Sequence, residues 1–457
     1  MVADVAWLAA AMARELMLFA AIGFLIGGFD DLLVDLLWAL RWVRRRLTVY
    51  RRHRPASAAT LPAPDAPGRI AVFIAAWQEA PVIGRMLAAA LGRYRHDDYV
   101  IYVGTYPNDP ATQAAVRAVG DPRIRLVSGT LPGPTTKAEC LNRVWAAMRA
   151  DEAVSGIRCK AILLHDAEDV VHPQELRVVD YLIDRFDMVQ LPVLPLIEQS
   201  RGWFARAVSA SYADEFADGH SRQLVVREAI GAGIPSAGVG CAIARARMDE
   251  IAASGGGAPF DDSSVTEDYE IGLRIAAKGG RSAFVVLPEV PGGAPVAVRA
   301  YFPHTLETAV RQKQRWITGI ALAGWDRLRW QGGLAERWMR LRDRRSLAAA
   351  VVLTASYAGL LLAVMLALCG VAIHWPGWAK PILTICAWLL VWRLAVRALV
   401  VGHHYGWREG LQAIPRALLA NLIAILAARR ALFSYQPGVT PPWDKTEHHF
   451  PDALPCD

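Results

Sequence analysis

The sequence predicts an α/β domain with a mainly parallel, Rossmann-like sheet and flanking transmembrane helices. Between residue 69 and about residue 300, short apolar runs alternate with helical stretches, which is typical of parallel strands joined by crossover helices. Long apolar segments lie on both sides of this region. Hydrophobic residues make up 54% of the 457 residues and charged residues still make up 20%, a mixture that favours a soluble domain joined to membrane segments.

Six apolar runs are the strand candidates, and helical patterns separate the early ones. They lie at residues 69–77, 98–106, 123–129, 160–169, 187–195 and 281–290. Functional groups in such sheets collect at the C-terminal ends of the strands. Polar residues that directly follow these runs are therefore the first candidates for a site.

The N-terminal region is predicted to lie in and on a membrane. Residues 5–28 are mostly apolar and indicate an anchor, because neither a basic leader nor a small-residue cleavage site is present. In residues 29–46, acids and leucines alternate with helical period, which predicts a helix on the membrane surface. The arginines of 41–54 place this side in the cytoplasm and the N-terminus outside. Residues 56–68, rich in Pro and Ala, are predicted to be a linker.

The C-terminal third contains further apolar segments. Residues 347–372 form the clearest membrane span, and 380–402 form a second. Residues 411–433 are ambiguous, because a proline and arginines bound a short apolar stretch. We expect an interfacial or re-entrant helix there rather than a full crossing.

These segments divide the chain into six predicted parts. They are a membrane anchor with a basic interfacial helix at 1–55, a linker at 56–68, the α/β domain at 69–330, a basic interfacial segment at 331–346, transmembrane or interfacial helices at 347–433, and a cytoplasmic tail at 434–457.

The net charge of +7 admits nucleic acid, anionic lipid or an anionic substrate as a partner. The densest basic runs, 41–54 and 337–345, each lie beside an apolar segment, as cytoplasmic flanks of membrane spans do. No nucleic-acid reader motif accompanies the charge, so no nucleic-acid partner is expected. The six cysteines include no C-x-x-C pair, which argues against a disulfide framework or a zinc site and favours a reducing compartment.

A cluster of acids follows the fourth strand candidate. Asp166, Glu168 and Asp169 come directly after an apolar run. Buried carboxylates are costly unless they are neutralised, and a hard divalent cation with oxygen ligands would neutralise them. The alternative is a solvated turn with helix-capping acids, which is the better interpretation of such a motif taken alone.

Two further motifs begin predicted helices. Thr266, Glu267 and Asp268 are a typical helix start, but a carboxylate there could also take a proton from a hydroxyl group. Thr136 and Lys137 also begin a helix, where backbone amides and one lysine suit a phosphate. Each motif is weak by itself.

The run "RQKQRW" at 311–316 joins basic, amide and aromatic side chains. Gln312, Arg315 and Trp316 share one face of a helix. Arginine offers forked donors for a diphosphate, and tryptophan offers a flat surface for a sugar ring. A solvated basic helix is the alternative, although the apolar residues that follow argue against full exposure.

Taken together and in this order, the motifs resemble those of the family-two glycosyltransferases, which include the processive cellulose, chitin and hyaluronan synthases. The resemblance covers about residues 65–320 and rests on "FIAAWQEA", "TTKAECLN", "HDAED", "TEDYEIGLRI" and "RQKQRW". The chain looks most similar to the bacterial phage adsorption protein B group, through "YVIYVGTYPNDPAT", "LHDAEDVVHP" and "PPWDKTEHHF".

The resemblance implies a GT-A fold and an inverting transfer from a UDP-sugar to a growing glycan, with Mg²⁺ or Mn²⁺ as cofactor. The family's second strand usually ends in adjacent acids that contact the nucleotide, and Gly104 and Thr105 stand there in this chain. On the donor side, the resemblance implies metal binding by Asp166 with Glu168 or Asp169, and donor binding by Glu79, Asp109, Lys137 and Asp166. Arg315 would stabilise the leaving diphosphate. On the acceptor side, Asp268 beside Glu267 would remove the proton, and Gln312 and Trp316 would bind the acceptor.

The resemblance also implies a multi-pass protein of the bacterial inner membrane with a cytoplasmic catalytic domain. Its expected partners are the donor, a glycan acceptor and membrane lipid. The few spans also suggest an export partner in the periplasm or outer membrane. Two alternatives stay open: a non-processive transfer to a lipid carrier, or an inactive transferase domain that acts as a scaffold or phage-receptor component. The histidine pairs at 403–404 and 448–449 are expected to be surface residues.

Overall fold

The computed structural model describes residues 2–437, 439 and 445–454, and its centre is one seven-stranded sheet. The strand order across the sheet is β3-β2-β1-β4-β6-β5-β7. The strands are β1 Ile70–Ala75, β2 Tyr99–Thr105, β3 Ile124–Ser128, β4 Ala161–His165, β5 Met188–Gln190, β6 Cys241–Ala244 and β7 Ser282–Phe284.

The sheet is mainly parallel, as predicted. Strands β1 to β4 are parallel neighbours, β5 and β7 also pair in parallel, and β6 runs antiparallel between β4 and β5. All six predicted strand regions contain a strand. Strand β6 was not predicted, because its sequence Cys-Ala-Ile-Ala is short and follows a glycine-rich turn. It pairs Ala242 with Leu163 of β4 and thereby closes the sheet beside the acidic strand end.

Helices cover both faces of the sheet and continue into long apolar segments. Two π-helical segments, Gly219–Gln223 and Thr318–Ala323, join α6 to α7 and α10 to α11. The helices are α1 Val2–Thr48, α2 Ile83–Arg93, α3 Pro110–Ala118, α4 Lys137–Ser155, α5 Glu175–Leu182, α6 Trp203–Asp218, α7 Leu224–Ala229, α8 Arg245–Ser254, α9 Glu267–Ala277, α10 Leu306–Ile317, α11 Gly324–Leu328, α12 Leu334–Arg344, α13 Ser346–Leu368, α14 Ala379–Tyr405 and α15 Trp407–Ser434.

The sheet is buried on both faces, so its strands need no polar side. Phe73 of β1 and Leu164 of β4 pack into the core under α4 and α9, while their neighbours Val72 and Leu163 pack into the core on the opposite face. Burial on both faces is why the strands appear in the sequence as continuous apolar runs.

Helix α1 is one continuous helix of 47 residues, so the predicted separate surface helix after residue 28 is wrong. The reason lies in its acids, which face arginines of the chain instead of lipid headgroups. Arg345 donates to Asp30 at 2.6 Å and to Asp31 at 2.7 Å, and Arg342 also donates to both carboxylates. These ion pairs connect α1 to the start of α13.

Part of the predicted linker is docked on the α/β domain. Residues Ala58–Thr60 form a short 3₁₀ turn in which Ala58 is fully buried. The amide of Ala58 donates to the carbonyl oxygen of Pro288 at 2.8 Å. The segment is therefore packed here, although its composition is typical of a flexible connection.

Among the described residues, four helices are long and apolar enough to cross a membrane by length and composition. They are α13, α14, α15 and Asp4–Thr48 of α1. Helix α15 is unbroken over 28 residues through Pro415, so the re-entrant alternative is wrong for this segment.

Helix α15 contacts the α/β domain near both of its ends. Near its start, Arg416 donates to the buried Asp214 of α6 at 2.8 Å. At its end, Ser434 accepts a hydrogen bond from Gln314 of α10 at 2.8 Å. The opposite face of α15 presents an exposed apolar row that includes Leu411 and Leu418. This arrangement is that of an amphipathic helix lying along the domain.

Candidate active site

A cavity of about 580 Å³ lies where β1 and β4 end, between α9, α10 and the C-terminal tail. It brings together every predicted site residue except Asp109. The predicted residues that line it are Glu79, Lys137, Asp166, Glu168, Asp169, Glu267, Asp268, Gln312, Arg315 and Trp316.

Lys137 and Asp166 form an ion pair on one wall of the cavity. Asp166 directly follows β4, and Lys137 is the first residue of α4, so the two elements bring their ends together. The Lys137 Nζ lies 2.5 Å from the Asp166 Oδ1. Burial alone would lower the pKa of Lys137 and raise the pKa of Asp166, because it favours the neutral forms. The attraction between the two charges is stronger than this effect, so Asp166 raises the pKa of Lys137 and Lys137 lowers the pKa of Asp166. Both groups are therefore charged at neutral pH.

Asp169 stabilises the end of β4 through hydrogen bonds. Its Oδ2 accepts hydrogen bonds from His165 Nδ1 at 2.7 Å and from the Asp166 amide at 3.0 Å. The other ring nitrogen of His165 contacts Glu175. Burial alone would lower the pKa of His165, but the Glu175 and Asp169 carboxylates outweigh it and raise the pKa to about 10. Both acids line the cavity, but only Glu168 has a buried oxygen, Oε2, that accepts no hydrogen bond from any described residue.

Glu79, Glu168 and His448 form a cluster with the spacing of a metal site. One potential ligand atom from each lies within 4.8 Å of the other two. His448 Nδ1 is 2.8 Å from Glu79 Oε1 and 3.2 Å from Glu168 Oε2. The buried Glu79 Oε2 and Glu168 Oε2 accept no hydrogen bond from any described residue. Burial raises the pKa of Glu168 to about 8, so its charged form needs a nearby cation.

His448 corrects the expectation that this histidine pair lies on the surface. His448 belongs to the tail after α15. In the sequence, only the motif "PPWDKTEHHF", on which the family resemblance partly rests, could have indicated a function for it. Its neighbour His449 instead lies beside Arg201 and His304, outside the metal cluster. Lys445 of the same tail also reaches Glu79, with an Nζ to Oε1 distance of 3.2 Å. In the other pair, His404 contacts Ser221 and is half-buried.

Asp268 and Glu267 lie in the first turn of α9 with their carboxyl groups at the cavity. The predicted capping function fails here, because Thr266 makes no cap hydrogen bond and its buried hydroxyl has no partner among the described residues. Burial raises the pKa of Asp268, and Lys137 partly opposes this effect. Burial and the neighbouring Asp268 raise the pKa of Glu267 to about 8.

Gly238 makes room for the Asp268 carboxylate. A Cβ atom at this glycine would lie 2.3 Å from the Asp268 Oδ2, closer than any side chain allows. Its φ of +79° is also a conformation that residues with a side chain rarely adopt. The absence of a side chain at Gly238 therefore admits the Asp268 carboxylate into the cavity.

Helix α10 presents Gln312, Arg315 and Trp316 to the cavity, as their helical spacing predicts. The Trp316 ring packs edge-on against Tyr212, with centroids 6.0 Å apart. On the other side of the helix, Lys313 is buried and paired with Glu215. The solvated-helix alternative is therefore wrong for this run.

Asp109 does not reach the cavity. It caps α3, where its Oδ1 accepts a hydrogen bond from the Thr112 amide at 3.2 Å, and its Oδ2 accepts one from the Gln78 amide at 2.6 Å. Both carboxylate oxygens are thus used inside the protein. The expected nucleotide contact of Asp109 is not supported, and the residue instead fixes the turn that carries Glu79.

The mainly parallel sheet with acids at the ends of β1 and β4, and the basic aromatic helix across the cavity, are consistent with the glycosyltransferase fold that the sequence resemblance implies. The family model described as glycosyltransferase-like family 2 matches residues 67–319. Because this match covers more than half of the chain, the chain belongs to that family.

Two curated relatives are similar to the chain over most of its length. They are bacteriophage adsorption protein B of Escherichia coli K12 and bacteriophage N4 adsorption protein B of Escherichia coli O157:H7. Each is 36% identical over 466 aligned residues, which cover 95% of this chain. The chain spans only 62% of the length of these relatives.

A solved mannosyltransferase of Pyrobaculum calidifontis, in complex with GDP-mannose and Mn²⁺, has the same fold. The match has a TM-score of 0.53 and 16% identity, and it covers 92% of this chain and all of that structure. The GT-A fold that the sequence resemblance implied is thus confirmed.

Proposed function

We propose that this chain transfers a sugar from a UDP-sugar to a growing glycan, with inversion at the transferred carbon. The observation that carries the proposal is the meeting of Asp268, the Lys137–Asp166 pair, Arg315 and the Glu79–Glu168–His448 cluster in one cavity. A hydroxyl nucleophile needs a base, and a departing diphosphate needs positive charge. The cavity contains residues suited to both requirements.

On the donor side, the residues fit a divalent cation. Glu79, Glu168 and His448 would hold Mg²⁺ or Mn²⁺, and Asp166, which the resemblance implies as a further ligand, lines the same cavity. The mixed oxygen and nitrogen donors support this assignment, as do the buried Oε2 atoms of Glu79 and Glu168, which accept no hydrogen bond from any described residue. When bound, such an ion supplies charge neutralisation for the diphosphate.

Lys137 and Arg315 add positive charge on the same side of the cavity. Lys137 is held in place by its ion pair with Asp166, so it would move little during the reaction. Arg315 lies close enough to lower the pKa of both Asp166 and Asp268, although burial is the largest influence on each. We therefore place Arg315 between the leaving group and the base.

On the acceptor side, Asp268 would take the hydroxyl proton as the acceptor oxygen bonds to the sugar carbon. The bond from that carbon to the diphosphate oxygen breaks, and its electron pair leaves with the nucleotide. Trp316 and Gln312 would position the acceptor, with the Trp316 ring fixed by its packing on Tyr212. Attack opposite the leaving group inverts the configuration.

We further propose three crossings, by α1, α13 and α14, with α15 in the interface. The tail reaches Glu79 inside the cavity, and both ends of α15 contact the α/β domain, so α15 begins and ends on the domain's side. Arginine-rich segments favour the cytoplasmic side of a bacterial inner membrane for this domain. The N-terminus would then lie outside.

An inactive scaffold or phage-receptor component is the second candidate, favoured by the 36% identity to phage adsorption proteins. Purified full-length chain should be given a panel of UDP- and GDP-sugars, with and without divalent cations and acceptor glycans. Metal-dependent consumption of a UDP-sugar, with a product of inverted anomeric configuration, is the expected result. Absence of turnover with every donor would favour the scaffold.

A further inference from the structure

An open groove of about 870 Å³ lies between α10 and α15, next to the catalytic cavity. Its walls are mainly apolar and include Leu306 and Val310 of α10 with Leu426 and Phe433 of α15. The Phe433 side chain is 86% exposed, which is unusual for an aromatic residue unless lipid or a ligand covers it. The groove therefore offers a surface for an apolar chain.

Two exposed arginines, Arg429 and Arg430, lie in the same groove. Among the described residues, neither has an ion pair or a hydrogen bond. Elsewhere on α15, Arg416 is by contrast paired with both Asp214 and Glu409. The groove contains one acid, the exposed Glu307, which cannot balance both guanidinium groups. Charge complementarity therefore points to an anion, and arginine pairs bind phosphate with forked hydrogen bonds.

The groove borders the catalytic cavity. Ser434 lines both of them, and Gln314 of α10 donates to its hydroxyl oxygen at 2.8 Å. Helix α10 presents Leu306 to the groove and Trp316 to the cavity. One elongated molecule could thus lie across both, with its apolar end in the groove and its polar end near the base.

We propose that the groove binds the phosphate and the adjoining apolar chain of a lipid-linked glycan acceptor. Arg429 and Arg430 bind the phosphate, the apolar walls bind the first part of the chain, and the terminal sugar enters the cavity. This assignment rests on the proposed function, since it names the acceptor of that transfer. The terminal sugar's hydroxyl oxygen bonds to the donor carbon, its proton goes to Asp268, and the nucleoside diphosphate leaves with the electrons of the broken bond.

The test measures binding of radiolabelled farnesyl phosphate to the full chain in phosphatidylcholine nanodiscs, with empty nanodiscs as the blank. Farnesol and inorganic phosphate serve as competitors, because farnesol has the apolar chain without the phosphate and inorganic phosphate has the charge without the chain. Arg429→Gln and Arg430→Gln are compared with Arg408→Gln, an exposed arginine on the same helix but outside the groove. A charge-assisted contact of this kind predicts that each groove variant weakens binding by about tenfold or more.

Saturable binding that Arg408→Gln leaves unchanged, and that farnesol or inorganic phosphate displaces only poorly, supports the groove. Equal weakening by Arg408→Gln would overturn the proposal, since it would show a general charge effect. Displacement by inorganic phosphate as strong as by farnesyl phosphate would reduce the groove to an anion site. Loss of binding in nanodiscs that contain phosphatidylglycerol would assign the groove to bulk anionic lipid. Hydrolysis of a nucleotide-sugar by the unaltered chain is measured separately, so failure of the proposed function is distinguishable.

Discussion

At the scale of single residues, the two adjacent histidines of the tail have different surroundings. His448 faces Glu79 and Glu168, whereas His449 lies beside Arg201 and His304. The sequence shows the two as equivalent, because nothing local connects residue 448 to acids that lie more than 270 positions earlier. Only the fold brings them together, so sequence patterns could not distinguish the histidine that faces the acids from its neighbour.

We predict that His448→Ala weakens Mn²⁺ binding by about ten- to a hundredfold, the range typical when support of a metal site is lost. The measurement is the free Mn²⁺ signal in electron paramagnetic resonance, in the absence of substrate. His449→Ala is the matched control and should bind Mn²⁺ like the unaltered chain. Equal affinities for all three proteins would remove His448 from the metal site.

Gly238 leads to a second prediction at this scale. Gly238→Ala should displace the Asp268 carboxylate, because the new methyl group would overlap its Oδ2. Gly240→Ala is the control, since Gly240 also has a positive φ, of +58°, but a Cβ atom there would meet Val298. Both variants should lose about 1 kcal/mol or more of stability from backbone strain.

Only Gly238→Ala should also lower the transfer rate per folded molecule, by about tenfold or more, because a small misplacement of a catalytic group is costly. Thermal denaturation and initial rates on matched amounts of folded protein separate the two effects. If both variants keep the same rate per folded molecule, Gly238 does not position the base.

At the scale of the elements, the sequence predicts well wherever the pattern is local. The strands were found because both faces of the sheet are buried, and the three site residues of α10 were placed on one face by helical period alone. The prediction from sequence failed where charged residues form ion pairs with residues far away in the chain. The acids of α1 were assigned to a membrane surface because their arginine partners, Arg342 and Arg345, lie some 310 positions later.

The attachment of α15 to α6 is predicted to depend on Asp214. This carboxylate is fully buried and accepts from Arg416 at 2.8 Å and from Arg397 at 3.4 Å. Asp214→Asn leaves Arg397 without its counter-charge and leaves Arg416 with Glu409 alone, and breaking a buried pair costs about 3–5 kcal/mol. We expect a clear drop in the thermal midpoint of unfolding in detergent.

Asp249→Asn is the matched control, because Asp249 also pairs with two arginines, Arg158 and Arg245, but its side chain is 34% exposed. A solvated pair contributes about 0–1 kcal/mol, so this variant should unfold close to the normal temperature. An equal, small change in both variants would show that the buried ion pairs do not hold α15 in place.

At the scale of the whole molecule, the structure predicts which segments lie on the same side of the membrane. Single cysteines replacing Thr60 and Asp452, in a background without native cysteines, should both resist a membrane-impermeant reagent in intact cells. His374→Cys, in the loop between α13 and α14, should be labelled. Labelling of the Asp452 position from outside would require α15 to cross and would contradict the contact between the tail and Glu79.

If the cavity is a working transferase site with Asp268 as its base, replacing this carboxylate should separate sugar transfer from donor binding. Purified Asp268→Asn and unaltered chains are measured for sugar transfer and for UDP affinity under the same metal conditions. We predict that transfer falls by about two to four powers of ten while UDP affinity is nearly unchanged, since the substitution keeps shape and removes basicity. Transfer at the normal rate by Asp268→Asn would contradict it.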